Sequence, residues 1–221
     1  MTIKVTFEVH ANKWHIDKAL NELAKRAILS FDTETAGVYS KTERAEAAEY
    51  LKEENIPVDS RSLALQVEAN CGLSFPSLVS VTHFIFGISE DYSVVLICSN
   101  PQLEIHIWNW IADYEGRLIV HNSLFDLKIM YHRIGRMPKD YDDSQLLAKC
   151  LTNNAEVYKC KVGLKDLMGS HYDPMWILVD EYEPANLKDP KFLMYAAIDG
   201  AATMKLWNDI QEHMEPTDED A

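Results

Sequence analysis

The chain has 221 residues, 47% hydrophobic and 25% charged, a balance that fits one folded domain with a full core and excludes a disordered polymer. A formal net charge of −14 argues against tight, sequence-independent binding of duplex nucleic acid, which draws on Lys and Arg. No apolar run is long enough for a membrane helix, and Met1 to Val5 lacks the apolar core of a signal peptide, so a cytoplasmic protein with no membrane partner is expected.

In chain order, Ile3–Val9 reads as a strand, Lys13–Arg26 as a helix and Ala27–Thr33 as a second strand. Side chains two apart on a strand share a face, so Asp32 and Glu34 project together while Phe31 and Thr33 face away. A long segment follows, Ala36 to Ser77. Its Thr42–Asn55 stretch predicts a polar helix whose Glu43, Glu46, Glu49, Glu53 and Glu54 outweigh Lys41, Arg44 and Lys52, a balance that disfavours a phosphate-binding surface. Leu63–Ala69 adds a short second helix, with Leu63, Leu65 and Val67 as the residues that would seat the segment. Strands Val79–Ile88 and Ser93–Cys98 form a hairpin at Glu90-Asp91; Gln102–Tyr114 is an amphipathic helix, Leu118–His121 a strand, and the remainder helical. Strands first and helices later predict an α/β domain, one mixed sheet flanked by helices.

Four carboxylates stand in apolar surroundings: Asp32 and Glu34 in AILSFDTETAG, Asp126 in LIVHNSLFDLKIM, and Asp199 in KFLMYAAIDGAATMKLW. A carboxylate is costly to bury alone and tolerable when it is paired or holds a cation, so metal binding is the first hypothesis. Asp126 lies one turn into a helix. Tyr195 and Asp199 are four apart on another, which sets a phenol beside a carboxylate. The bland alternative is a set of solvated loop-end acids and helix caps.

The order Asp32-Thr33-Glu34, Asn122 to Asp126, and Tyr195 to Asp199 resembles the tyrosine branch of the DEDD 3′–5′ exonucleases. The histidine branch would place His at position 194, which is Met194. FDTET, HNSLFD and YAAIDGAAT are similar to the proofreading exonuclease domain of family A DNA polymerases, and DDSQLLAKCL and VGLKDLMGSHY fit the same pattern. Against that pattern Ala36 to Ser77 is an insertion between the first core strands. The chain is too short to hold a polymerase as well, so a self-standing exonuclease, as in some phage replication systems, or an excised piece is expected.

The resemblance implies a ribonuclease H-like fold, an exonuclease domain over residues 1–214 with an insertion at 36–77, and an acidic tail at 215–221. It implies that Asp32, Glu34, Asp126 and Asp199 hold two divalent cations, Mg²⁺ or Mn²⁺, with Asp32 bridging. Such ions prefer oxygen ligands and, about 4 Å apart, can activate water and stabilise a leaving oxygen. Tyr195 would orient the nucleophile, since an ordinary phenol is a poor base at neutral pH. Thr35 and Asn122 would touch the terminal nucleotide.

The function expected first is cleavage of single-stranded or frayed DNA 3′ ends in proofreading or end trimming, beside a possible replication partner in the cytoplasm, the host's if phage-encoded. A 3′–5′ exoribonuclease and a noncatalytic end-binding or partner-binding module are the alternatives. Phe125, Trp108 and Trp110 read as packing residues, and Lys128, Arg133, Lys161 and Lys165 mostly as solvated charges. His83 and His121 read as hydrogen-bonded structural histidines, and Asp142 and Asp143 as helix caps. Cys71, Cys98, Cys150 and Cys160 lack zinc or redox spacing and read as free, mostly buried thiols.

Overall fold

The computed structural model describes residues 5–37, 41–58, 63, 66, 79–151, 162–171 and 187–214. Six strands form one mixed sheet: β1 (Thr6–His10), β2 (Ile28–Gly37), β3 (Val79–Ser89), β4 (Tyr92–Ile97), β5 (Arg117–Val120) and β6 (Tyr141–Asp143). Their spatial order is β1-β4-β3-β2-β5-β6. β3 is antiparallel to both β2 and β4, whereas the β1–β4, β2–β5 and β5–β6 pairs are parallel.

The period-two pattern of the strands sorts the core into two layers. Leu29 and Phe31 of β2, Phe84 and Phe86 of β3 and Leu96 of β4 face one side. They pack there against α1 (Lys13–Leu23), α3 (Pro101–Asp113) and α4 (Ser123–Ile134). Trp108 is wholly buried among Phe31 and Phe84 at edge-on angles, and Trp110 packs on Phe86 and Tyr114, so both tryptophans are packing residues. The opposite face, with Ile85, Val95 and Ile97, is covered by α7 (Pro190–Met214), assisted by α5 (Ser144–Leu151) and α6 (Leu164–His171).

Small residues let α7 approach the sheet closely. Ser30 donates to the Gly200 carbonyl at 2.6 Å and accepts from the Gly87 amide at 3.1 Å, and Ser93 donates to the Ala197 carbonyl at 2.7 Å. A Cβ on Gly200 would meet the Ile85 side chain at 2.7 Å, and one on Gly87 would meet the Gly200 carbonyl oxygen at 2.4 Å. The run of small residues in YAAIDGAAT is therefore a packing face, and it holds the neighbouring Asp199 against β2.

The elements expected from sequence form with shifted ends. β2 runs on to Gly37 and α1 stops at Leu23, where Ala24 caps it; β6 is a correction to the all-helical reading after residue 121. Three polar residues, Tyr-Asp-Asp, are too few to display alternation, and pairing with β5 alone makes them a strand. The insertion helix α2 (Lys41–Glu53) buries Ala47 and Leu51, one turn apart, so it carries its own apolar seam. Of the second insertion helix, Leu63 and Gln66 are described, and both are helical. Leu65, Val67, Cys71, Cys160, Lys161 and the tail 215–221 lie outside the described residues. Cys98 and Cys150 are free thiols, as expected; Cys98 is buried, and α5 turns Cys150 outward.

Candidate active site

β2 supplies Asp32 and Glu34 on the face covered by α7, and α7 supplies Tyr195 and Asp199 one turn apart on the side that meets β2. Asp32, Glu34 and Asp199 each offer a carboxylate oxygen, and the three oxygens lie within 4.8 Å of one another. Asp126 arrives from the other layer. It sits in the first turn of α4, 1% exposed, and its carboxylate accepts from the Thr33 hydroxyl at 2.5 Å. The alternation that turns Thr33 away from Asp32 thus turns it towards Asp126.

These groups line a cleft of about 230 Å³, together with His121, Asn122, Phe125, Leu164 and Thr203. The cleft lies beyond the carboxyl end of β5, where the chain turns at Asn122 into α4. Asn122 adopts the left-handed conformation, φ 64° and ψ 57°, which Asn tolerates better than most residues. Its side chain makes no capping bond and borders the cleft.

Asp143, at the end of β6, fixes this turn. Its carboxylate accepts from the Ser123 amide at 2.8 Å, the Ser123 hydroxyl at 2.7 Å and the Gln145 amide at 2.8 Å. Burial raises its carboxyl, but these donors outweigh burial and hold it below the usual range. Asp143 is a helix cap, as expected, and it also ties α4 to α5. His121 donates from Nε2 to the Val162 carbonyl at 3.1 Å and faces the Ser144 hydroxyl at 3.0 Å; burial lowers its pKa to about 4, so it is neutral. His83 is fully buried and meets the Leu187 carbonyl at 2.9 Å. Both are structural histidines.

Burial and mutual repulsion dominate the electrostatics of the cleft. Burial raises Asp32 well above the ordinary range, with Asp126, Glu34 and Asp199 adding repulsion. Burial also raises Glu34 to about 8, Asp126 to about 7 and Asp199 to about 6. The Thr33 bond pulls Asp126 back, and the Lys165 charge pulls back Glu34 and Asp199. Burial, then the fields of Asp199, Glu34 and Asp32, push the Tyr195 phenol far above its usual value, so its hydroxyl keeps its proton.

Four crowded carboxylates, Asp126 buried and the other three half-buried, with raised affinity for protons are a site short of positive charge. The all-oxygen donor set suits a hard divalent cation better than a soft one.

Two residues here were undervalued in the sequence. Thr33 holds Asp126, and Lys165, the second residue of α6, donates to the Tyr195 hydroxyl at 2.7 Å. Their types carried no signal; only the packing of α4 on β2 and of α6 on α7 gives them partners. The register of β2 on β3 shifts between Glu34 and Thr35, and Thr35 is not among the residues that line the cleft. Phe125 packs on the core and also lines the cleft. Arg133 pairs with buried Glu104 at 2.8 Å, and Lys128 is exposed.

No family model matches the chain, and no curated protein matches it. Solved structures do match. Brucella melitensis NrnC aligns at 15% identity over 95% of this chain and 81% of that one, with a TM-score of 0.55. Escherichia coli RNase D aligns at 11% identity over 94% of this chain and 45% of that one, TM-score 0.59. Trypanosoma brucei RNase D, solved in complex with RNA U12, aligns at 13% identity over 98% and 65%, again with TM-score 0.59. This is the ribonuclease H-like nuclease fold. At these identities the likeness is one of fold, and it carries the mixed sheet and flanking helices expected from the sequence. Among the described residues no helix is long and apolar enough to cross a membrane.

Proposed function

We propose that the chain is a metal-dependent 3′–5′ exonuclease of the tyrosine branch of the DEDD superfamily. It hydrolyses the terminal phosphodiester of a nucleic-acid strand and releases nucleoside 5′-monophosphates. The observation that carries this reading is the meeting of Asp32, Glu34 and Asp199 within 4.8 Å, with Asp126 and Tyr195 lining the same cleft.

The roles follow from position. Asp32, Glu34, Asp126 and Asp199 would hold two divalent cations, Mg²⁺ or Mn²⁺, which would supply Lewis acidity and acidify a water. Tyr195, kept protonated, donates a hydrogen bond and orients the nucleophile rather than removing its proton. Asn122 and Phe125, at the mouth of the cleft, meet the terminal nucleotide. Thr35, the residue after Glu34 on β2, is proposed as a further contact to that nucleotide. The exonuclease domain spans 1–214, with 36–77 as a cover or partner-docking insertion and 215–221 as an acidic tail, and it works in the cytoplasm.

Two substrate readings stand. The wording of FDTET, HNSLFD and YAAIDGAAT supports a single-stranded or frayed DNA 3′ end, in proofreading or trimming beside a replication partner. An RNA 3′ end is supported at least as well by the fold neighbours: NrnC is solved with bound pGG, and Escherichia coli RNase D is described as an exoribonuclease. A noncatalytic module is disfavoured, since all four carboxylates and the tyrosine are present. The test compares 5′-labelled DNA and RNA strands of equal sequence, in Mg²⁺ and then in chelator. Stepwise, Mg²⁺-dependent shortening from the 3′ end is expected; mainly internal cuts in circular single strands, or no cuts in either polymer, would overturn the reading.

A further inference from the structure

Lys165 stands at the edge of the carboxylate cleft. It lies in the first turn of α6, half-buried, next to Leu164 of the cleft wall. Its ammonium is 2.7 Å from the Tyr195 hydroxyl oxygen and 4.2 Å from the centre of the Tyr195 ring. Asp199, one helical turn along α7 from Tyr195, lines the same cleft.

A phenol hydroxyl has one proton to donate and lone pairs that accept, whereas an ammonium only donates. With Lys165 donating into the oxygen, the phenol's single proton is turned away from the ammonium and left to the cleft that Tyr195 lines. Donation at the phenol oxygen therefore runs one way, in from Lys165 Nζ and out from the hydroxyl towards the cleft. An unpartnered phenol hydroxyl would be free to rotate its proton out of the cleft. The ring also rests against Phe192 at 6.0 Å between centroids, so the side chain is held at its body as well as its tip.

We propose that Lys165 is a positioning residue of this site: by donating to Tyr195 Oη it fixes the phenol and leaves the phenol proton to the reacting centre. The proposal rests on the exonuclease reading above for its catalytic consequence, but the contact itself can be read without turnover. It also accounts for a cation beside Glu34 and Asp199, whose carboxyls its charge draws down against burial.

The experiment uses the full chain carrying Tyr labelled with ¹³C at the ring carbon bearing the hydroxyl, with the Tyr195 resonance assigned from Tyr195→Phe. In metal-free protein, Lys165→Met should move that resonance, and Lys165→Arg, which keeps a charged donor, should restore most of its position. In Mg²⁺, Lys165→Met should lower kcat by about 10- to 100-fold, the loss of one hydrogen bond from a charged donor, with KM little changed. In a Tyr195→Phe background the same substitution should cost less than about threefold, because its acceptor is already gone. A Tyr195 resonance unmoved by Lys165→Met, or equal losses in both backgrounds, would overturn the proposal. If wild-type protein cuts no strand in Mg²⁺, the exonuclease reading fails while the resonance still decides whether Lys165 holds Tyr195. A melting temperature for Lys165→Met close to wild type separates a local effect from misfolding.

Discussion

Thr33 and Asp126 lie 93 positions apart and meet at 2.5 Å, the hydroxyl of a strand residue donating to the carboxylate of a helix residue. The bond joins the two layers of the fold at the cleft, since Asp32 and Glu34 face α7 while Asp126 comes from α4. Thr33→Val keeps the shape and removes the donor. Asp126, already raised to about 7 by burial, then rises further, because Thr33 was holding it down. Protons then compete better with cations, so turnover should fall by about 10- to 100-fold near neutral pH and recover in part at higher pH. Cleavage rates against Mg²⁺ concentration at pH 6.5 and 8.5 check this; an unchanged pH dependence would make Thr33 a packing residue.

Asp32→Ala and Asp199→Ala should leave the fold intact and lower turnover by several orders of magnitude, since each removes a ligand that the remaining acids cannot replace. Circular dichroism and single-turnover cleavage measure the two effects separately. Near-normal cleavage by purified Asp199→Ala would remove the two-cation assignment.

The metal-free protein should lose stability as pH rises. Glu34, Asp126 and Asp199 have folded-state pKa values raised to about 8, 7 and 6, above their ordinary 4.5, 3.8 and 3.8, so the folded state binds more protons than the unfolded one between those limits. Their contribution is full below about pH 4 and lost by about pH 8. Divalent cations replace those protons, so Mn²⁺ should raise the melting temperature more at pH 8 than at pH 5. Thermal melts with and without Mn²⁺ test the sign; a larger Mn²⁺ effect at pH 5 contradicts it.

Tyr195→Phe keeps the ring against Phe192 and deletes the hydroxyl. Turnover should fall by about 10- to 1000-fold, the range for losing one orienting hydrogen bond, while Mn²⁺ affinity measured by calorimetry changes little. Collapse of Mn²⁺ binding would instead make Tyr195 a structural support for Asp199.

Gly200→Ala tests how α7 is held. The new methyl would meet the Ile85 side chain at 2.7 Å and the Ser93 hydroxyl at 3.1 Å, so helix or sheet must shift. A loss of about 1–3 kcal/mol in denaturant unfolding is expected, the usual cost of overpacking, with reduced turnover because Asp199 moves with the helix. Full stability with full activity would show that the contact yields freely.

Periodicity alone determined much of this protein. Alternation in AILSFDTE puts Asp32 and Glu34 on one face whatever surrounds them, and the four-residue spacing of Tyr195 and Asp199 sets both on one side of a helix. The tertiary structure decided what no local pattern holds. β6 exists only because β5 offers its three polar residues a ladder, and Thr33 matters only because α4 crosses the sheet where its hydroxyl points. Lys165 reaches Tyr195 because α6 packs on α7, and the register of β2 against β3 shifts where Glu34 gives way to Thr35. Local sequence fixes the direction of a side chain relative to its own strand or helix; its partners depend on contacts between segments far apart in the chain, and packing alone sets those.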